Sequence, residues 1–177
     1  MYFRRNIYIY AVVVMICGIL MIAPEILMLM SDKEYWSGKI LIAPIVLSSF
    51  MIFLYSNYVA VELYYKANRC IALNTLTAAA FNLFTDVLLI PKFGMMGAAY
   101  TTLASYVLLF LMHCRYSRRL NRALYPFRLN VTPLTLVTVV SVISYLCLDN
   151  WLLRWSIACI LGLLFIMALL KRYKLYR

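Results

Sequence analysis

The chain has 177 residues, of which 66% are hydrophobic and only 13% charged, with a mean hydropathy of +0.89 and a formal net charge of +11. Soluble domains are roughly half apolar and about a quarter charged, so this composition excludes an ordinary water-soluble domain and points to a membrane protein. No basic face with interleaved aromatics lies outside the apolar segments, which argues against a nucleic-acid partner.

In chain order, six apolar segments have spanning length: about 7–30, 40–61, 70–90, 94–114, 131–148 and 151–170. Each supplies the roughly 20 residues that a helix needs to cross about 30 Å of hydrocarbon. The predicted fold is therefore all-α, a polytopic membrane protein with six transmembrane helices. The first segment follows Arg4 and Arg5 but runs for about 24 residues. That exceeds the roughly 7–15 of a signal peptide, and no small-residue cleavage site follows, so it reads as a retained span. The fifth holds Pro133 and a run of Thr and Val that lower helix propensity, yet lipid leaves its backbone no other way to be satisfied.

Lysines and arginines alternate in density between the two sides. Arg4, Arg5, Lys66, Arg69, Arg115, Arg118, Arg119, Arg122, Arg128, Lys171, Arg172, Lys174 and Arg177 fall on one side, and Lys33, Lys39, Lys92 and Arg154 on the other. Both termini are thus expected in the cytoplasm, and the positive charge is mostly a topology signal.

The loops restrict the chemistry. The outer ones are short, and the longest inner connector, about 115–130, ends in 125-YPFR-128. None has room for a catalytic domain. The acids are Glu25, Asp32, Glu34, Glu62, Asp86 and Asp149, and only Asp32 and Glu34 lie close in sequence, in 31-SDKEYWSGK-39. That stretch reads as a solvated outer turn anchored by Tyr35 and Trp36. His113 is the single histidine, so a histidine-based metal site or triad would need a partner chain. The cysteines Cys17, Cys70, Cys114, Cys147 and Cys159 form no C-x-x-C pair and read as small apolar residues. No enzyme, metal or cofactor is expected.

Two faces stand out. Thr75, Ala78, Asn82 and Asp86 recur at intervals of three or four, as do Gly94, Ala98, Thr101 and Ser105. Each set shares one helix face of small and polar side chains, which lets membrane helices approach closely. Pro91 is expected to end one span, Gly94 to open the next, and the two to form a tight outer hairpin with Lys92 at the interface. Trp151, Trp155 and Arg154 read as outer-interface anchors with a snorkelling arginine.

The hairpin, 82-NLFTDVLLIPKFGMMGAAYTT-102, resembles the pattern N-x-x-x-N-x-x-L-I-P-x-F-G-x-x-G-A-A-x-x-T of Wzx-like polysaccharide flippases, in the multidrug/oligosaccharidyl-lipid/polysaccharide superfamily. The stretch 23-APEILMLMSDKEYWSGKILIAPIVLS-48 is similar to the family's span, short loop and next span, with Glu34 and Tyr35 in place, which sets about 2–115 in register. Members have two lobes, and the resemblance implies that residues 1–177 are the last six spans, the C-terminal lobe, without the N-terminal one. It also implies the function: export of polyprenyl-diphosphate-linked oligosaccharide across the bacterial cytoplasmic (inner) membrane by alternating access, for surface polysaccharide synthesis. The partners would be the lipid-linked oligosaccharide, membrane lipid and the missing lobe or a partner chain. The alternatives are a membrane-embedded polymerase or ligase of lipid-linked sugars, or an inert or interacting half-lobe.

On that reading Lys66 and Arg69, in 62-ELYYKANR-69, either meet the diphosphate or only set topology, and Asn82 belongs to the substrate face. Asp86, about 7 Å inside the outer end of its span by helical rise, stands where the resemblance calls for a second asparagine. With Glu25, which follows Pro24, it is a candidate for ion coupling, the alternative for Asp86 being satisfaction by Asn82 or water. Ser56, Asn57 and Asn74 either line a polar cavity or glue helices together, and the last two spans are expected to face lipid or guide the polyprenyl tail.

Overall fold

The structure, a computed structural model, describes residues 2–121, 127–148, 150–160 and 162, with the backbone alone for 2–7, 128 and 129. The described residues are almost entirely helical, and no strand occurs among them. Its elements are α1 (Tyr2–Met30), a 3-10 helix (Lys33–Leu41), α2 (Ile42–Tyr64), α3 (Asn68–Leu120) and α4 (Arg128–Leu146), followed by a shorter helix, α5 (Trp151–Ile160). Three helices are long and apolar enough to cross a membrane: Tyr8–Met30, the continuous helical stretch Lys33–Tyr64, and α3. The remainder of the expected sixth span, with Lys171, Arg172, Lys174 and Arg177, lies outside the described residues, as do Arg122 and Asp149.

Although α3 runs as one helical stretch, it is folded in two. Gly94 has non-helical dihedrals, φ 56° and ψ −135°. The Thr101 hydroxyl donates to Asp86 Oδ1, whereas fifteen residues along a straight helix would separate the two by about 22 Å. The turn comes later than the sequence suggested. Pro91 sits inside the helical stretch, and the chain reverses at Gly94, because a positive φ is open to glycine at little steric cost. At Gly97 the two arms touch: a Cβ there would lie 2.8 Å from the Leu89 carbonyl oxygen.

The connection between α1 and α2 is exposed at Asp32, Lys33, Glu34 and Tyr35, as expected of a solvated turn, but it is regular. Residues 33–41 wind into a 3-10 helix, entered by the Tyr35 N–H donating to the Asp32 carbonyl at 2.9 Å. Ser31 bonds back to the Leu27 carbonyl at 2.6 Å and the Trp36 indole N–H donates to the Ser31 carbonyl at 3.2 Å. With so few residues between two apolar helices, local backbone bonds satisfy what water would reach in a longer loop.

One apolar core joins the helices. Ile9, Val13, Ile16 and Leu20 of α1 recur at helical spacing and meet Phe50, Leu54 and Tyr58 of α2, Phe110 and Cys114 of α3, and Val137 and Val140 of α4. Polar bridges fix the register. The Asn130 amide donates to the Tyr58 hydroxyl at 2.6 Å, and the Ser144 hydroxyl to the Leu20 carbonyl at 2.9 Å. Hence α4 packs one face against α1 and α2 and leaves Leu136, Val139 and Val142 exposed on the other, and Pro133 does not interrupt it. Outside this core the surface is also apolar: Leu73, Leu76, Leu83, Phe84 and Val87, on the first arm of α3, are each more than 60% exposed. A surface of that kind is unstable in water and at home in hydrocarbon.

The close approach at Gly97 makes a prediction. Gly97→Ala forces backbone apart and should destabilise the fold by on the order of 1–3 kcal/mol. Gly18→Ala meets nothing within 4 Å and should be neutral. Thermal unfolding in detergent, with wild type alongside, reads both.

Candidate functional site

Most hydroxyls in the helices bond their own backbone. Ser48, Thr75, Thr77, Ser105 and Ser141 each donate to the carbonyl four residues earlier, at 2.8–2.9 Å. Ser56 and Asn57 both turn to the Phe53 carbonyl, at 2.8 and 2.7 Å. Such local bonds are the default where water is scarce. The informative polar groups are those whose partners come from another helix.

Three such places among the described residues hold a carboxyl group. In the first, within the α3 hairpin, Asn74, Ala78, Asn82 and Asp86 follow each other at four-residue intervals on the first arm. Asn74 and Ala78 are buried, and Asn82 and Asp86 are half-buried. Across from Asp86 stands Thr101, itself buried, with buried Ser105 one turn further on. The sequence face was therefore nearly correct, with Asn74 replacing Thr75, which is exposed. Asp86 is held by Thr101 and not by Asn82. The Asn74 and Asn82 side-chain nitrogens have no partner among the described residues.

In the second, Arg154 of α5 is fully buried and pairs with Glu25 of α1, which is 27% exposed. Its guanidinium also donates to the Leu148 carbonyl at 3.2 Å, and the Trp155 indole reaches Glu25 at 3.4 Å. The expectation of a snorkelling arginine is thus overturned. A carboxylate on α1 lies within reach, and an ion pair inside the protein is better than stretching a cation past apolar neighbours. Glu25, read from sequence as a candidate for ion coupling, is half of a clamp between the first and last described helices.

The third was not foreseen. Glu62, in the last turn of α2, and His113, on the second arm of α3, are both completely buried, with Glu62 Oε2 and His113 Nδ1 2.8 Å apart. Tyr55 stacks on the imidazole, with centroids 5.6 Å apart and rings 18° from parallel, and Tyr106 stacks on Tyr55. Glu62 Oε1 and His113 Nε2 have no partner among the described residues. A carboxyl facing an imidazole at this distance can pass a proton between its oxygen and the ring nitrogen. The signal that could have found the pair is that two ionisable residues stand near the ends of the second and fourth apolar segments, where an intramembrane charge calls for its partner.

Lys66 and Arg69 lie at the same end, both exposed, in and just after the α2–α3 turn. Lys66 itself supplies the reversal with φ 55°. The five cysteines are free, and no group of three metal-ligating side chains occurs among the described residues.

These pairs can be tested by substitution. His113→Leu strands a buried carboxylate and should destabilise the protein by about 3–5 kcal/mol, whereas adding Glu62→Leu should restore much of the loss. Arg154→Met should cost less than His113→Leu, because Glu25 keeps access to solvent. Denaturant unfolding in mixed micelles gives both orders.

Comparison with protein-family models, with characterised proteins and with solved structures gives no match for this chain.

Proposed function

We propose that this chain is one lobe of an alternating-access transporter that moves polyprenyl-diphosphate-linked oligosaccharide across the bacterial cytoplasmic membrane. One observation carries the reading: the polar stripe Asn74–Asn82–Asp86, facing Thr101 and Ser105, inside a hairpin whose outer surface is apolar. A helix serving only as an anchor has no use for such a stripe. A transporter needs one, because sugar hydroxyls crossing hydrocarbon require hydrogen-bond partners all the way. The amide donors of Asn74 and Asn82, unpartnered among the described residues, suit that task. The resemblance of 82–102 to the flippase hairpin points the same way, and the reversal at Gly94 gives that motif a structural purpose.

In this reading α1, α2, the two arms of α3, α4 and the helix that begins with α5 are the six spans. Both termini are cytoplasmic, and the Glu62–His113 pair sits at the inner end. The cavity closes only against a second lobe, which explains why the first arm of α3 leaves so much apolar side chain uncovered. The sugar and diphosphate travel in the cavity while the polyprenyl tail stays in lipid. Lys66 and Arg69, exposed at the inner end, meet the diphosphate through charge-assisted hydrogen bonds. Asp86 and Glu25 remain the candidates for ion coupling, the former through its contact with Thr101 and the latter through Arg154.

The decisive experiment locates lipid-linked oligosaccharide in cells that lack the full reading frame, by probing intact and opened vesicles with a sugar-specific reagent. Accumulation on the cytoplasmic leaflet supports the reading, and an unchanged distribution sinks it. Accumulation on the outer leaflet indicates a polymerase or ligase instead. In the same cells, replacing Lys66 and Arg69 together by Gln should weaken export about tenfold or more, at about 1 kcal/mol for each basic residue near the surface. Asp86→Asn should alter the pH dependence of export, and export unchanged at every pH would remove Asp86 from the coupling role.

A further inference from the structure

At the end of the bundle that holds the α2–α3 turn, a cleft of about 530 Å³ opens between the last turns of α3 and the start of α4. Its walls are Arg115, Arg118 and Arg119, with Leu111, Cys114 and Phe127. The arginine spacing of three and four places all three guanidiniums on one helix face, and all three are exposed. Phe127 is held in place by packing on Phe110, with centroids 6.3 Å apart, and Cys114 forms a buried floor. The volume lies within the range of small-molecule sites, roughly 300–1,000 Å³.

Among the described residues the arginines have no counter-charge. Glu25, Asp32, Glu34 and Asp86 belong to the opposite half, with the 3-10 helix and the Gly94 turn. Glu62 is the one described acid at this end, and it is sealed against His113. Among the described residues, neither ion pair involves Arg115, Arg118 or Arg119. Three converging cations beside an apolar wall are therefore satisfied from outside. Leu111 lies one turn, about 6 Å, deeper than Arg115 and is 51% exposed, so the cleft passes from charged to apolar in the direction of the membrane.

We infer that this cleft binds an anionic phospholipid, its phosphate held by Arg115, Arg118 and Arg119 and the start of an acyl chain lying along Leu111. Guanidinium forks match phosphate oxygens two at a time, and basic pockets at the cytoplasmic interface are where acidic head groups collect. A lipid-linked diphosphate carries the same chemistry. The lipid is favoured because the cleft lies at the end of the second arm, whereas the polar stripe with unpartnered amides is on the first. The assignment does not depend on the transport reading.

The test uses the full chain, purified in a zwitterionic detergent, with phosphatidylglycerol and phosphatidylcholine of matched chains carrying the same acyl-chain fluorophore, read by anisotropy. Phosphatidylglycerol should bind at least tenfold more tightly at low salt, and the preference should shrink as ionic strength rises. Replacing Arg115, Arg118 and Arg119 together by Gln should abolish the preference. Replacing all three by Lys keeps the charge, and with it the topology, but removes the forks, and should weaken binding severalfold. Lys66→Gln with Arg69→Gln should leave it unchanged. The assignment is overturned by equal binding of the two lipids, by a preference that survives the triple Gln variant, or by an equal loss in the Lys66 and Arg69 variant, which would mean a diffuse field. A short-chain polyprenyl diphosphate that displaces phosphatidylglycerol and binds more tightly would overturn it as well, by giving the cleft to a transported substrate.

Discussion

A carboxylate or guanidinium taken from water into an apolar bundle is tolerated only when a partner is already there, since the uncompensated charge costs several kcal/mol. The arrangement of this protein follows from that constraint at two places. Glu62 and His113 join α2 to the second arm of α3 near one end of the bundle, and Glu25 and Arg154 join α1 to α5 towards the other. Between them the contacts are almost wholly apolar, and apolar contact by itself leaves helices free to slide or rotate where lipid is as good a neighbour as leucine. Polar bonds between helices supply the register. The Asn130–Tyr58 and Ser144–Leu20 bonds do the same for α4 at neutral groups.

The α3 hairpin applies the rule in another form. Asp86 sits on an arm whose other exposed side chains are largely apolar, and it is satisfied because Gly94 turns the chain back and brings Thr101 to it. Gly97 then lets the backbones meet. A larger residue there would hold the arms apart, and Asp86 would lose its partner. Close packing and polar satisfaction are therefore one requirement at this hairpin, carried by a few small residues.

The two ends of the bundle differ in charge for a related reason. Where acids are present, cations pair with them and become structural, as Arg154 does. At the other end the described acid is already committed to His113, so Lys66, Arg69, Arg115, Arg118 and Arg119 remain open to whatever negative charge the interface offers. On the proposed reading, the same imbalance sets topology during insertion and leaves sites for phosphate afterwards.

The sequence by itself determined the helical fold, the presence of helices long and apolar enough to cross a membrane, and the small-residue faces of the hairpin, because these depend on composition and on helical period. It also came within one residue of the polar stripe, offering Thr75 where the structure buries Asn74. Only the tertiary structure decided which polar groups are partners. Glu62 and His113 are 51 residues apart in sequence, and Glu25 and Arg154 are 129 apart. No local spacing signals such pairs, so Arg154 read as an interface anchor and His113 as a lone histidine. Helical period places a side chain on a face, but which face meets which neighbour is fixed by packing, and in a bundle without water that packing settles where each charge can be held.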